Sequence, residues 1–326
     1  MIDRYLNKDL EKIWSDQNKI DTWKIIQFYY VQTLEEENIA PNGLSEKIKS
    51  TTVLKEEVEE REAVTNHDLA SFVDVLQEKI GEDSNWIHYG LTSSDIVDTS
   101  NSLLITESIV VVENLVKELL TILETRAIQE KDTKIIGRTH GVFAEETFLG
   151  NIFGNWLLEI KRGLERLARA KENISVGKLS GPVGNYTVVS EDIEQKTLKK
   201  LGLQQEIFAS QIVSRDRYAE VLSSIAILGS TFDRVATNIR SYQRSEISEM
   251  FEAFKDGQKG SSAMPHKKNP IASERISGLA RILRGNIISG LENMVLWNER
   301  DISNSSVERI IFPDSFNIIA FISKEL

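Results

Sequence analysis

The chain has 326 residues, 40% of them hydrophobic, with 39 Lys and Arg against 50 Asp and Glu, for a formal net charge of −11. That length admits one large domain or two to three smaller ones, and the acidic balance argues against nucleic acid or an anionic membrane as a general partner. The lack of cysteine excludes disulfides and thiolate chemistry and is compatible with a cytoplasmic protein. The opening stretch MIDRYLNKDLEKIW lacks the apolar core of a signal peptide, and no stretch is apolar for long enough to cross a bilayer.

Prolines are absent from Asn42 through Gly181 and again from Val183 through Met264. Sustained helical periodicity across these spans predicts an all-α fold. Residues 1–93 read as several short helices forming an N-terminal domain, with charged runs such as Lys55 to Glu62 as solvated faces. Residues 94–326 read as a bundle of long helices. Ser94 or Asp95 is placed to cap the first, whose apolar positions run through Leu103, Ile109, Val112, Val116, Leu119 and Leu123. A second carries Leu149, Phe153, Trp156, Ile160, Leu164 and Leu167. The third carries Val221, Ile225, Leu228, Phe232, Val235, Ile239 and Tyr242, whose alternating steps of four and three make a heptad-like seam. A fourth runs through Ile276, Leu279, Leu283, Ile287, Leu291 and Met294, and a last apolar helix is expected over Phe312 to Phe321. Such stripes need partners, and a bundle supplies them.

Between the third and fourth long helices lies Gly260-Ser261-Ser262-Ala263-Met264-Pro265-His266-Lys267-Lys268-Asn269-Pro270. It offers two hydroxyls, an imidazole, two ammonium groups and an amide on one glycine- and proline-bounded loop. That is a donor set for a multiply anionic ligand, with a hydroxyl that can serve as base or nucleophile. The four histidines are His67, His88, His140 and His266. They form no His-x-x-x-His pair, so no metal site is expected. They fall in Asn66-His67-Asp68, in His88-Tyr89-Gly90-Leu91-Thr92-Ser93-Ser94-Asp95, in Arg138-Thr139-His140-Gly141 and in the loop. Thr92 and Ser93 precede a long helix, where hydroxyls and helix-terminal N–H groups can hold a carboxylate; the plainer reading of this stretch is ordinary capping by Ser94 or Asp95.

These segments resemble the fumarase/aspartase superfamily, and the loop resembles the form carried by adenylosuccinate lyases; the likeness extends from Arg4 to Asp314. It implies elimination of fumarate from a C–N bond β to a carboxylate, with no metal or organic cofactor. Such a reaction needs a base for the carbon proton, an acid for the leaving nitrogen, and cations or dipoles for the carboxylate that takes up charge. The resemblance makes Ser261 the base and His140 the acid, an assignment that suits an imidazole titrating near neutral pH. It makes Lys267 and Asn269 carboxylate ligands, with Ser262, Thr92 and Ser93 nearby, and places Asn66, His67, Asp68 and His88 against the substrate.

Four features resemble the adenylosuccinate branch: Arg4-Tyr5, the Met-Pro-His-Lys-Lys-Asn-Pro loop, Gln211, and the segment Glu299 to Arg309, in which Arg300, Ser305 and Arg309 are expected to grip a phosphate. An anionic nucleotide substrate, a homotetramer with sites shared between subunits, and a further C-terminal domain absent from this chain are implied. Phe143, Asn298 and Asn304 stand where the family often has histidine. Argininosuccinate lyase, which has no phosphate to grip, and a catalytically silent helical assembly protein are the alternatives.

Overall fold

The computed structural model describes residues 2–326 except Lys255, Asp256, Lys259, Ser262 and Pro265. Among the described residues helices dominate. The short ones come first: α1 (Lys8–Ile13), α2 (Asp16–Glu36), α3 (Leu44–Ser50), α4 (Lys55–Thr65) and α5 (Asp68–Ile80). Polar caps start the first two: the Asn7 side chain accepts from the N–H groups of Asp9 and Leu10 before α1, and Ser15 accepts from Asn18 before α2. Then come α6 (Ser93–Gln129), a hairpin of β1 (Lys134–Thr139) and β2 (Val142–Phe148), and α7 (Leu149–Ile174). A two-residue strand β3 (Val176–Gly177) pairs in parallel with β4 (Gln204–Gln205) around α8 (Glu191–Leu201). The long helices α9 (Arg215–Tyr242), α10 (Ile271–Glu292) and α11 (Ser303–Glu325) complete the order. The all-α expectation holds, and α6 alone spans about 55 Å at 1.5 Å per residue.

Two apolar cores hold these elements. One lies among α6, α7, α9, α10 and α11, with Leu10 and Ile13 of α1 joining it. The heptad seam of α9 is buried from Val221 through Val235. The other lies among α2 to α5 and the start of α6, and draws in Leu179, Val189 and Ile193. Close packing in the first core uses glycines: a Cβ on Gly229 of α9 would sit 2.5 Å from Leu283 of α10, and one on Gly290 of α10 would sit 2.5 Å from Leu222 of α9. Each helix thus offers a groove to the other's leucine.

Four details differ from expectation. Thr92, not Ser94 or Asp95, caps α6, and its N–H donates to the Asp95 carboxylate at 2.7 Å. The segment holding His140 is a β-hairpin. Its His140-Gly141 turn has φ of 56° and 78°, the pair of left-handed residues that a type I′ turn requires. The apolar stripe of α10 leaves the core beyond Leu283, and Leu291 and Met294 are exposed. The last helix begins well before Phe312 and runs through Pro313. The lost hydrogen bond there is offset by burial of Ile311, Phe312 and Phe316.

Gly229→Val should destabilise the chain by about 1–3 kcal/mol through overpacking against Leu283, seen as a lower midpoint in thermal unfolding; an unchanged midpoint would mean that α9 and α10 can part at no cost.

Candidate active site

The largest grouping of expected site residues surrounds a cavity of about 220 Å³ lined by Asp68, Arg300, Ser305 and Arg309, together with Asp98, Arg215 and Glu308. The starts of α5, α6 and α11 meet there, with α2 and the first residue of α9 completing the lining. Asp68 is the first residue of α5, and its Oδ2 lies 2.8 Å from Arg309 Nη2 on α11. Arg300 Nη1 donates to Ser94 Oγ at 2.9 Å and to Gln211 Oε1 at 3.2 Å, while the Gln211 amide donates to the Pro182 carbonyl at 3.0 Å. Among the described residues, Arg300 Nε is buried with no partner. His67 caps α5 through Nδ1, which accepts from the Ala70 N–H at 3.4 Å, and its Nε2 lies 3.1 Å from Ser93 Oγ. With Nδ1 accepting, the neutral ring carries its proton on Nε2 and donates to Ser93. Asn66 occupies the left-handed C-cap of α4, at φ 52°, and turns the chain into α5.

What fixes this cavity is a buried ionic triad that the sequence reading did not single out. Arg215 of α9 donates to both oxygens of Asp98 on α6, at 2.5 and 2.9 Å, and to both oxygens of Glu308 on α11, at 2.9 and 3.2 Å. All three side chains are buried. Asn304 donates to Glu308 at 3.1 Å. A second buried ion pair, Lys178 with Asp95, joins the start of α6 to the Lys178–Gly181 loop, where Lys178 also donates to the Gly181 carbonyl at 3.1 Å. The only sequence signal for either was a charged residue interrupting an apolar or glycine-rich run.

His88 lies apart from the cavity lining. The Gln27 amide receives the His88 backbone N–H at 3.0 Å and lies 2.9 Å from its Nδ1. Since Gln27 Oε1 accepts from the backbone, Nε2 of Gln27 must be the donor to the ring, so His88 keeps its own proton on Nε2. Burial and the nearby His67 push its pKa from 6.5 down to about 4.

Two further groups are distinct from the cavity. His140 stands exposed at the hairpin tip. The loop holds Ser261 half-buried, its Oγ accepting the N–H groups of Ala263 and Met264 at 3.3 and 3.2 Å. Asn269 closes the loop by donating to the Gly260 carbonyl at 2.7 Å, and Lys267 is exposed. Ser262 falls outside the described residues. Arg138 connects hairpin and loop: its guanidinium forks onto Glu249 at 2.6 and 2.7 Å and lies 5.1 Å from the Phe143 ring. The Phe143 ring is thus a platform for that arginine. Glu249 is held below its ordinary carboxylate pKa by that arginine. Glu252, three residues on, caps α10 by accepting from Ala272 and Ser273 at 3.2 and 2.7 Å. The expected N-terminal contacts are not brought to the cavity lining: Arg4 is exposed, and Tyr5 packs edge-on against Phe321 at 5.0 Å. Among the described residues no cluster of three histidine or carboxylate side chains could hold a metal ion, and no helix is long and apolar enough to cross a membrane.

Solved structures share this architecture. A fumarate lyase from Mesorhizobium sp. BNC1 superposes with a TM-score of 0.88 at 20% identity, covering 100% of this chain and 75% of that one. A 3-carboxy-cis,cis-muconate lactonizing enzyme from Pseudomonas putida gives 0.90 at 20% identity, covering 98% and 74%. These likenesses show the fold, and residues 16–285 match the family described as Lyase, which sets the class. Within that class, the adenylosuccinate lyase of Aquifex aeolicus is 43% identical over 99% of this chain and 75% of its own length. That of Thermotoga maritima is 44% identical over 97% and 73%. The chain belongs to the adenylosuccinate lyase family.

Two outcomes follow from His88 and Arg215. Because the folded pKa of His88 lies below its ordinary value, the unfolded chain takes up the proton first, so this contribution is complete above pH 6.5 and is lost as pH falls toward about 4. Thermal unfolding across that window should show a shallower pH slope for His88→Gln than for the unaltered chain. Arg215→Ala should cost about 3–5 kcal/mol, because two buried carboxylates are left without their cation; denaturant unfolding measures it.

Proposed function

We propose that the protein is a cytoplasmic enzyme of purine biosynthesis that eliminates fumarate from adenylosuccinate to give AMP, and from the succinylcarboxamide ribonucleotide to give the free carboxamide. The observation that carries the chemistry is the Ser261 hydroxyl, which receives two backbone N–H groups inside a basic loop. A serine hydroxyl is a weak base, and donors already aimed at Oγ stabilise the alkoxide that must form. In the proposed step, Ser261 Oγ removes the proton from the carbon next to the carboxylate. The electron pair passes into that carboxylate, held by Lys267 and Asn269 with the Thr92–Ser93 helix start, and then expels the nitrogen. His140 supplies the proton to the departing nitrogen. Arg300, Ser305 and Arg309, which line one cavity, take the phosphate; the Nε of Arg300, buried without a partner among the described residues, supports that reading.

The same reading makes the active assembly a homotetramer with shared sites. His140 and Ser261 lie on separate elements here, and exposed Leu291, Met294, Val295 and Trp297 give α10 and the segment after it an apolar face that suits subunit contact. It also divides the chain at residues 93 and 94 into an N-terminal helical domain and a bundle domain.

Fumarate release measured with adenylosuccinate, argininosuccinate and malate in turn tests the proposal. Release from adenylosuccinate should fall by at least about a thousandfold in Ser261→Ala and in His140→Ala, and mixing the two variants should restore part of it. Release from argininosuccinate instead would overturn the substrate assignment, and failure of the mixed variants to recover any activity would count against shared sites.

A further inference from the structure

Asp68 stands where the anion cavity meets His67. Its Oδ2 lies 2.8 Å from Arg309 Nη2 across 241 positions of sequence. Its Oδ1 accepts the Leu69 N–H at 2.8 Å and faces His67 Nδ1 at 3.7 Å. The Asp68 side chain is 16% exposed and that of Arg309 59%. Two features separate this pair from an ordinary surface ion pair. It lines the same cavity as Arg300 and Ser305, and the second oxygen of the carboxylate is turned toward a histidine that is itself in contact with Ser93. A carboxylate and a phosphate present guanidinium with the same thing, paired oxygens carrying negative charge.

We infer that Asp68 is a resident stand-in for the ligand's phosphate, and that its displacement from Arg309 reports occupation of the cavity to His67. This rests on reading Arg300, Ser305 and Arg309 as a phosphate grip. In the empty site Asp68 neutralises Arg309. A phosphate arriving on Arg309 brings more charge than the carboxylate and repels it. Asp68 cannot travel far, because Oδ1 is tethered to the helix N–H of Leu69. The ring within reach is that of His67, whose Nδ1 lies 3.7 Å from Asp68 Oδ1 and takes the long contact from Ala70 at 3.4 Å. The released carboxylate therefore accepts an N–H from Nδ1 of His67, as the ring's single proton passes from Nε2 to Nδ1 and the Ser93 hydroxyl turns to donate to Nε2, and the ring becomes fixed between Asp68 on one side and Ser93 on the other. Asp68 is a positioning residue: it acts through His67, and it makes correct ring placement conditional on a phosphate-bearing ligand. The device also discriminates, since a ligand without phosphate leaves Asp68 on Arg309.

The test titrates AMP and adenosine separately into the purified protein by calorimetry, and follows steady-state cleavage of adenylosuccinate. Unaltered protein should bind AMP more tightly than adenosine. In Asp68→Asn, AMP should bind about fivefold more tightly, the scale of one partly exposed ion pair no longer in competition, with adenosine unchanged. In the same variant KM should fall, and kcat should fall at least about tenfold through loss of His67 placement. Asp68→Ser keeps an oxygen for the Leu69 N–H and should show the same tightening, so that loss of the helix start is not mistaken for the effect; Asp68→Glu should recover part of kcat. AMP affinity unchanged or weakened in both uncharged variants overturns the inference while leaving the phosphate grip standing. Equal affinity of the unaltered protein for AMP and adenosine overturns the grip, and the inference with it.

Discussion

One guanidinium carries more of this architecture than any other group. Arg215 projects from α9 and binds Asp98 of α6 and Glu308 of α11, so three long helices are fixed to one another at a single buried point. Apolar stripes bring helices together but tolerate sliding and rotation. A planar fork does not, because each N–H must meet an oxygen along its own direction. Burying one cation with two anions is costly unless every lone pair is used, and here the remaining capacity is filled by the Val213 N–H on Asp98, the Asn304 amide on Glu308, and the Tyr218 ring 4.4 Å from the guanidinium. Burial still pushes the Glu308 pKa up against the pull of Arg215. The position of Ser305 and Arg309 over the cavity depends on this join, since both ride on the first turns of the helix that Glu308 anchors.

The start of α6 shows how one short stretch serves several partners. Thr92 caps the helix, Ser93 meets His67, Ser94 accepts from Arg300, Asp95 pairs with buried Lys178, and Asp98 takes Arg215. Successive side chains on an α-helix point about 100° apart, so consecutive polar residues at a helix start reach α5, the segment before α11, the Lys178 loop and α9 without competing. That geometry places the candidate carboxylate site and the candidate phosphate site at one helix end.

The loop holding Ser261 is organised differently. Its contacts are mostly local, with Asn269 closing it on Gly260 and the Gln243 amide donating to the Lys268 carbonyl at 2.9 Å. It is moored at one edge by Glu252 on the end of α10, and through the neighbouring Glu249 to Arg138 of the hairpin. The proposed acid and the proposed base therefore ride on elements joined by a charged fork rather than by a shared core. A loop held this way can move without disturbing the bundle, as closure over a substrate demands.

The sequence by itself determined the long helices, the apolar stripes of α6, α7 and α9, the serine-bearing loop, and the residue types offered to an anion, because helix periodicity and loop chemistry are written in neighbours three or four positions apart. The hairpin escaped that reading: His140-Gly141 is an unusual type I′ pair, and the exposed strands beside it show no clean alternation of apolar and polar residues. The cap at Thr92 escaped it by two positions because Ser93, Ser94 and Asp95 offer equally good capping chemistry. Only the tertiary structure decided that Asp68 meets Arg309, that Arg215 joins Asp98 to Glu308, that Gln27 sets the tautomer of His88, and that Tyr5 turns to Phe321 rather than to the cavity. Those partners lie tens to hundreds of residues apart, and a charged side chain carries no mark of which opposite charge it will meet until packing has brought one of them within reach.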